Sequence, residues 1–307
     1  MNKQVLEQML NPAALAALSP LFTLCGGAML LLLADILPGL AKLRSALFLT
    51  TIAVAGWFAW DNLGAPAGGH IFGSFQHSTA LSNWTLVFLA SALIGWAVAQ
   101  CYYQSEEANF LAEHDVLIVA TAGMVLMAGA GDLLTFFVGL ETLSVPLYTL
   151  SGFRRARRES VEAGLKYFIL GAFAAGMFLY GAALVYAATG TITIEGMRAA
   201  GAALTSPLAL VGFALIAGSL FFKISVFPFH LWVPDVYQGA PTPVTAFMAT
   251  GTKAAAFAFL LSMMGSAGSK PLLPESAALV FAWIAVITMG VGNLGALVQS
   301  DLKRMLA

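Results

Sequence analysis

The sequence is short of charge. Of 307 residues only 9% are Asp, Glu, Lys or Arg, against 60% hydrophobic, and the mean hydropathy is +0.86. A soluble domain carries about a quarter of its residues as charges, so this composition excludes one and leaves a polytopic membrane protein. Cysteine is scarce too. Cys25 and Cys101 fall in or at the end of apolar runs, have no metal-ligand spacing, and read as small core hydrophobes. Two cysteines cannot supply an iron–sulfur cluster, and no GxGxxG cofactor loop is expected, so the chain reads as one without a redox centre of its own. A net charge of -1 offers no basic surface for nucleic acid. The N-terminus lacks a small-residue cleavage pattern and its apolar run continues to Ile36, which marks a retained span rather than a removed signal.

What the chain has in place of charge is apolar length. A membrane span needs about 20 apolar residues, fewer in a bundle, and nine runs qualify: 18–37, 46–60, 84–103, 116–130, 133–151, 163–189, 208–227, 244–264 and 277–298. The expected fold class is therefore an all-α polytopic membrane protein of about nine transmembrane helices. It divides into a three-span region (1–115), a five-span region (116–265) and a final span (266–307). The loop DNLGAPAGGHIFGSFQHS holds His70 and His77 with no acidic or cysteine partner, so no metal site is expected there. With the N-terminus outside, the cytoplasmic segments hold Lys42, Arg44, Arg154, Arg155, Arg157, Arg158, Lys303 and Arg304, and the outer ones hold Lys3, Arg198 and Lys270. This asymmetry follows the positive-inside rule and supports the span count.

The other three basic residues, Lys166, Lys223 and Lys253, lie within spans, as does Glu141. A charge in hydrocarbon costs about 3 kcal/mol on insertion scales, so such residues face protein or water and mark a route for ions. Proline adds to the pattern. Pro228 is expected to break the seventh span and free the carbonyl of Ile224 beside Lys223, and Pro146 to free that of Thr142 beside Glu141. At an effective dielectric of about 20, unit charges about 7 Å apart interact by about 2.4 kcal/mol, enough for a moving neighbour to load or unload a proton. A static Glu141–lysine pair that only fixes helix packing is the alternative. Lys166, eight residues after Arg158, can also extend its head group to the interface. Asp35 and Asp132 read as interfacial. His230, between Lys223 and Lys253, has an unperturbed pKa of about 6.5 and either relays a proton or braces the break by donating to a freed carbonyl.

The segments ETLSVPLYTLSGF, RRESVEAGLKYFILGAFAAGMFLYGAALVYAATG, FKISVFPFHLWVPDVYQGAPTPVTAF and NLGALVQSDLKRMLA resemble the subunit N family of bacterial NADH-quinone oxidoreductase, respiratory complex I. That family is a branch of the antiporter-like membrane subunits, which share the PFHxWxPD connector. The resemblance covers nearly the whole chain. It implies a proton path through Glu141, Lys166, Lys223, Lys253 and His230, in a subunit of the cell inner membrane that contacts other membrane-arm subunits, including a neighbouring antiporter-like one. NADH, FMN, iron–sulfur clusters and quinone are then implied for other subunits, with no cofactor and no metal in this chain. Family members continue past DLKRMLA into a second inverted repeat. The resemblance therefore implies a first repeat plus the first span of the second. Two other readings stand beside this one: a subunit of a multisubunit cation/proton antiporter or membrane-bound hydrogenase, and a scaffold whose buried charges only register helices.

Overall fold

A computed structural model of the chain describes residues 12–37, 40–64, 70–71, 74–104, 113–265, 272 and 275–307. Lys3, Lys270 and the acidic stretch 105–112 lie outside the described residues. Each of the nine apolar runs becomes helical. In chain order the helices are α1 (Pro12–Ile36), α2 (Arg44–Asp61), α3 (Thr79–Gln104), α4 (Glu113–Ala128), α5 (Leu133–Ser151), α6 (Arg158–Thr189), the short α7 (Ile194–Ala199), α8 (Pro207–Ile224), the connector helix α9 (Val233–Gly239), α10 (Thr242–Phe247), α11 (Lys253–Met264), α12 (Glu275–Leu297) and α13 (Leu302–Leu306). Among the described residues eight spans are long and apolar enough to cross a membrane, α10 and α11 together supplying one of them, and α4 is a shorter apolar helix. One small departure from an all-helical chain is a hairpin, β1 (His70–Ile71) with β2 (Phe75–Gln76), paired His70 to Gln76.

Side-chain placement corrects two expectations. Cys25 and Cys101 are exposed rather than in the core. The protein's outer face is apolar, with Phe22, Met29, Trp57, Ile94 and Phe173 all more than half exposed, so apolar character on these helices does not separate core from periphery. The spacing Gly290-x-Gly292-x-x-Gly295 does occur, contrary to the expectation of no GxGxxG string. It lies inside the continuous helix α12, whereas phosphate is cradled by a glycine loop that leads from a strand into a helix.

The chain divides into two compact units. One comprises Met1–Leu147 with Thr242–Ala255. Here the Asn62 side-chain amide donates to the Ala16 carbonyl at 2.8 Å, joining the end of α2 to the start of α1. The hairpin is tied to the end of α4, because the Gln76 N–H donates to the Gly129 carbonyl and the Gly131 N–H to the Ser74 carbonyl, both at 2.7 Å. Asp132, read as interfacial, is buried and caps α5, accepting from the Thr135 N–H at 2.7 Å and its hydroxyl at 2.9 Å. Asp35, also read as interfacial, is ion-paired with the buried Arg44.

The other unit comprises Tyr148–Pro241 with Ala256–Ala307. Its spine is α6 against α8. A Cβ on Gly181 would stand 2.6 Å from the Gly212 carbonyl oxygen, and one on Gly212 would stand 2.8 Å from that of Gly181, so only glycine admits this backbone approach. Arg198 on α7 donates to the Ser262 carbonyl at 2.8 Å, fastening the ends of α6 and α11 together.

Candidate functional site

The seventh span breaks, but four residues before the proline expected to break it. α8 ends at Ile224, and Ser225 takes the left-handed conformation with φ 64°. The Val226 N–H then reaches back to the Phe221 carbonyl at 2.9 Å and the Ser225 N–H to that of Phe222 at 3.2 Å, the double closure of a Schellman motif. Pro228 therefore lies beyond the helix and frees no carbonyl within it; the sequence rule assumed the helix would still be running at Pro228. Thr288 on α12 accepts the Phe227 N–H at 3.2 Å.

Lys223, one residue before the end of α8, is 3% exposed. Its Nζ donates to the Tyr167 hydroxyl at 3.3 Å and stands 5.4 Å from the ring centre of Tyr167 and 5.9 Å from that of Tyr148. The two tyrosines meet edge to face at 4.8 Å. Trp232 of the connector closes this group, stacked on Tyr167 at 4.7 Å and 10°, with its indole N–H donating 3.1 Å to the Phe222 carbonyl. The ammonium thus lies against aromatic faces, which attract a cation by about 2 kcal/mol when water is excluded. Nothing in the chain order announced Tyr148 and Tyr167, although Tyr148 falls two helical turns after Glu141 and Tyr167 follows Lys166 directly.

Lys166 is placed differently. Its side chain is 41% exposed, and Nζ lies 2.6 Å from Glu162, one turn earlier, and 2.6 Å from Asp235 of α9. Asp235 also takes Arg304 of α13 at 2.6 Å through its other oxygen. Arg304 reaches Gln238 at 2.9 Å, and Lys303 donates to the Ala240 carbonyl at 2.6 Å and that of Gln238 at 3.2 Å, neutralising the C-terminal end of α9. The hydrogen-bonded Lys166 ammonium holds the Asp235 carboxyl below the usual carboxylate range, Arg304 adds to this, and partial burial opposes both. Sequence reading counted Arg304 only as a cytoplasmic charge and gave Asp235 and Glu162 no role, because the groups that meet at Asp235 lie 69 positions away along the chain.

His230 lines a cleft of about 290 Å³ with Ser225, Thr288, Gln299 and Arg304. Its ring packs 5.7 Å from Phe227, and Nδ1 makes no hydrogen bond among the described residues. The remaining expected site residues belong to the first unit. Glu141 is half-buried on α5, which continues through Pro146, and Lys253 is half-buried at the start of α11. Lys253 has its own backbone irregularity, a π turn over Met248–Thr252 that no proline announces. It is seated by Ser91 and Thr250, whose hydroxyls meet at 2.7 Å, and by Gly251, where a Cβ would stand 2.7 Å from Met124 Cε. Such turns leave a helical carbonyl without its usual partner. No group of three or more metal-ligating side chains occurs among the described residues.

Comparison with known proteins bears on this arrangement. Residues 130–307 match the family described as NADH:quinone oxidoreductase/Mrp antiporter, TM. NADH-quinone oxidoreductase subunit N of Trichlorobacter lovleyi is 41% identical over 291 residues, covering 87% of this chain and 59% of that protein. Respiratory complex I from Thermus thermophilus contains a chain that superposes with a TM-score of 0.78 at 36% identity, covering 94% of this chain and 60% of that one. A chain of the Mrp complex from Dietzia sp. shares the fold, with a TM-score of 0.77 at 22% identity. The chain thus spans about 60% of the length of these two relatives. A multi-pass helical bundle, a lysine caged at a broken helix and a match over more than half its residues place the chain in the NADH:quinone oxidoreductase/Mrp antiporter family of membrane proteins, as a homologue of NADH-quinone oxidoreductase subunit N.

Proposed function

We propose that this chain is a proton-translocating part of a complex I membrane-arm subunit in a bacterial inner membrane. It moves protons while NADH oxidation and quinone reduction take place on other subunits. The observation that carries the reading is Lys223, 3% exposed and held by a phenol and two aromatic rings at the end of a broken helix. An ammonium buried in a membrane span is costly and marks a route for ions, and the phenol beside it can accept from the ammonium or donate to the neutral amine. In this reading the five-span region 116–265 carries the path. Glu141 and Lys253 are its further charged groups, and His230, facing a cleft with Nδ1 unbonded among the described residues, is its fourth member. Lys166 holds the connector, and joins the path only by leaving Asp235.

The test uses a full-length subunit in the assembled complex. Lys223→Ala and Glu141→Ala are expected to abolish most proton pumping while native gels show the complex intact. Loss of assembly in step with pumping favours the scaffold reading. Copurification with antiporter or hydrogenase subunits, in place of complex I subunits, favours the antiporter reading.

A further inference from the structure

A second buried ionisable cluster lies in the first unit, where the end of α1, the start of α2 and the start of α4 meet. Asp35 and Arg44 form an ion pair, with Arg44 5% exposed. Asp115 stands beside them, 3% exposed, its carboxyl within hydrogen-bonding reach of that of Asp35. Neither Asp115 oxygen meets a hydrogen-bond donor among the described residues, and Arg44 Nη1 meets no acceptor.

The charges do not balance. Two carboxylates against one guanidinium leave an excess negative charge, and burying an ion without a partner costs several kcal/mol. Among the described residues no other base is placed to cancel it. α3, which also packs on α4, has no acid, base or histidine, and its titratable groups are Cys101, Tyr102 and Tyr103. The π turn that touches α4 carries no charge, Lys42 is exposed, and Glu113 and His114 precede Asp115 on its own helix. The charged groups acting on Asp115 are Asp35 and Arg44. A metal cation fits poorly, because the buried guanidinium already occupies one side and repels it. A proton fits well: it turns one carboxyl into a donor toward the other and removes the excess charge together with one unmet acceptor.

We propose that Asp35 and Asp115 form a proton-binding site in which one proton is shared between the two carboxyls while Arg44 neutralises the charge that remains. The site is separate from the caged lysine and stands whether or not Lys223 carries protons. Under the expected orientation it opens on the cytoplasmic side, where α1 leaves the membrane and α2 and α4 enter it.

Infrared spectroscopy of the full-length subunit in its complex, with isotope-labelled aspartate, reads the proton directly through the carbonyl stretch of a protonated carboxyl. At neutral pH a labelled band should be present in the wild type and lost in Asp115→Asn. It should also be lost in Asp35→Asn, which frees Arg44 to pair with Asp115 and ionise it. A band that survives both substitutions overturns the proposal. Thermal unfolding is the second readout. Because the folded state holds an extra proton, wild-type stability should fall as pH rises, and Asp115→Asn, neutral and similar in shape, should keep the neutral-pH melting temperature and lose that dependence. A melting temperature that rises with sodium at fixed pH, in the wild type but not in Asp115→Asn, overturns it in favour of a metal cation.

Discussion

Lys166 and Lys223 belong to the same unit and both lie on helices apolar enough to span a membrane, yet they have opposite surroundings. Lys166 is 41% exposed and divided between Glu162 and Asp235, whereas Lys223 is 3% exposed and meets a hydroxyl and two π faces. A lysine between two carboxylates gains Coulomb energy only while charged. The phenol beside Lys223 can accept from its ammonium or donate to its neutral amine, so this contact survives either protonation state. The contrast teaches that lysines within apolar runs can differ widely in exposure and in what they meet, and that their neighbours in space decide this.

The largest expected effect tests this contrast directly. In a full-length subunit, Lys223→Met should lower pumping on the order of a hundredfold, the scale lost with a proton-transfer group, while Lys166→Met lowers it only a few-fold. Equal losses in the two variants would erase the distinction. His230→Gln comes next. Glutamine can hydrogen-bond but carries no proton near neutral pH, so pumping should slow while assembly and melting temperature hold; unchanged proton-to-electron stoichiometry and rate leave only the bracing role.

Asp235→Asn should be milder. It removes both ion pairs of the connector, but its partners are about a third exposed, so the expected loss is about 1 kcal/mol, visible as a small drop in melting temperature. A double-mutant cycle with Arg304→Gln should show coupling of similar size, and additive losses would mean that the bridge contributes nothing. The smallest effect is that of pH on this tether. The Asp235 carboxyl is held below its ordinary range by Lys166, so its contribution is complete above the unfolded carboxylate pKa and is lost only as pH falls through the lower folded value. Amide protection in α9, corrected for the intrinsic pH dependence of exchange, should therefore stay constant from neutral pH down to the ordinary carboxylate range and fall below it. A fall near pH 6 would instead implicate a histidine.

Much of the fold was legible. Span positions follow from the length of apolar runs, because hydrocarbon forces backbone polar groups into helices, and α5 was read with the bounds the structure gives. Helix interruptions were legible only in part. Proline was taken as the agent at the seventh span, but the chain leaves the helix at Ser225, a serine in the left-handed conformation that propensity does not flag. The π turn before Lys253 has no local signature beyond a run of small and hydroxyl residues, since it is set by packing against Ser91 and Met124. The Asp132 cap was available from its spacing to Thr135 and was missed because the residue was judged by depth alone.

What the sequence by itself determined was the class of solvent and the positions of the apolar spans. Both follow from composition and from the free energy of taking polar groups out of water. Only the tertiary structure decided which charges are buried and what each one meets. Lys223 meets Tyr167 from 56 positions away, Lys166 meets Asp235 from 69, and Asp115 joins the Asp35–Arg44 pair across three helix ends. A buried charge takes its protonation state from the donors and acceptors within a few ångströms, and in a helical bundle those come from other helices, where chain order carries no record of them.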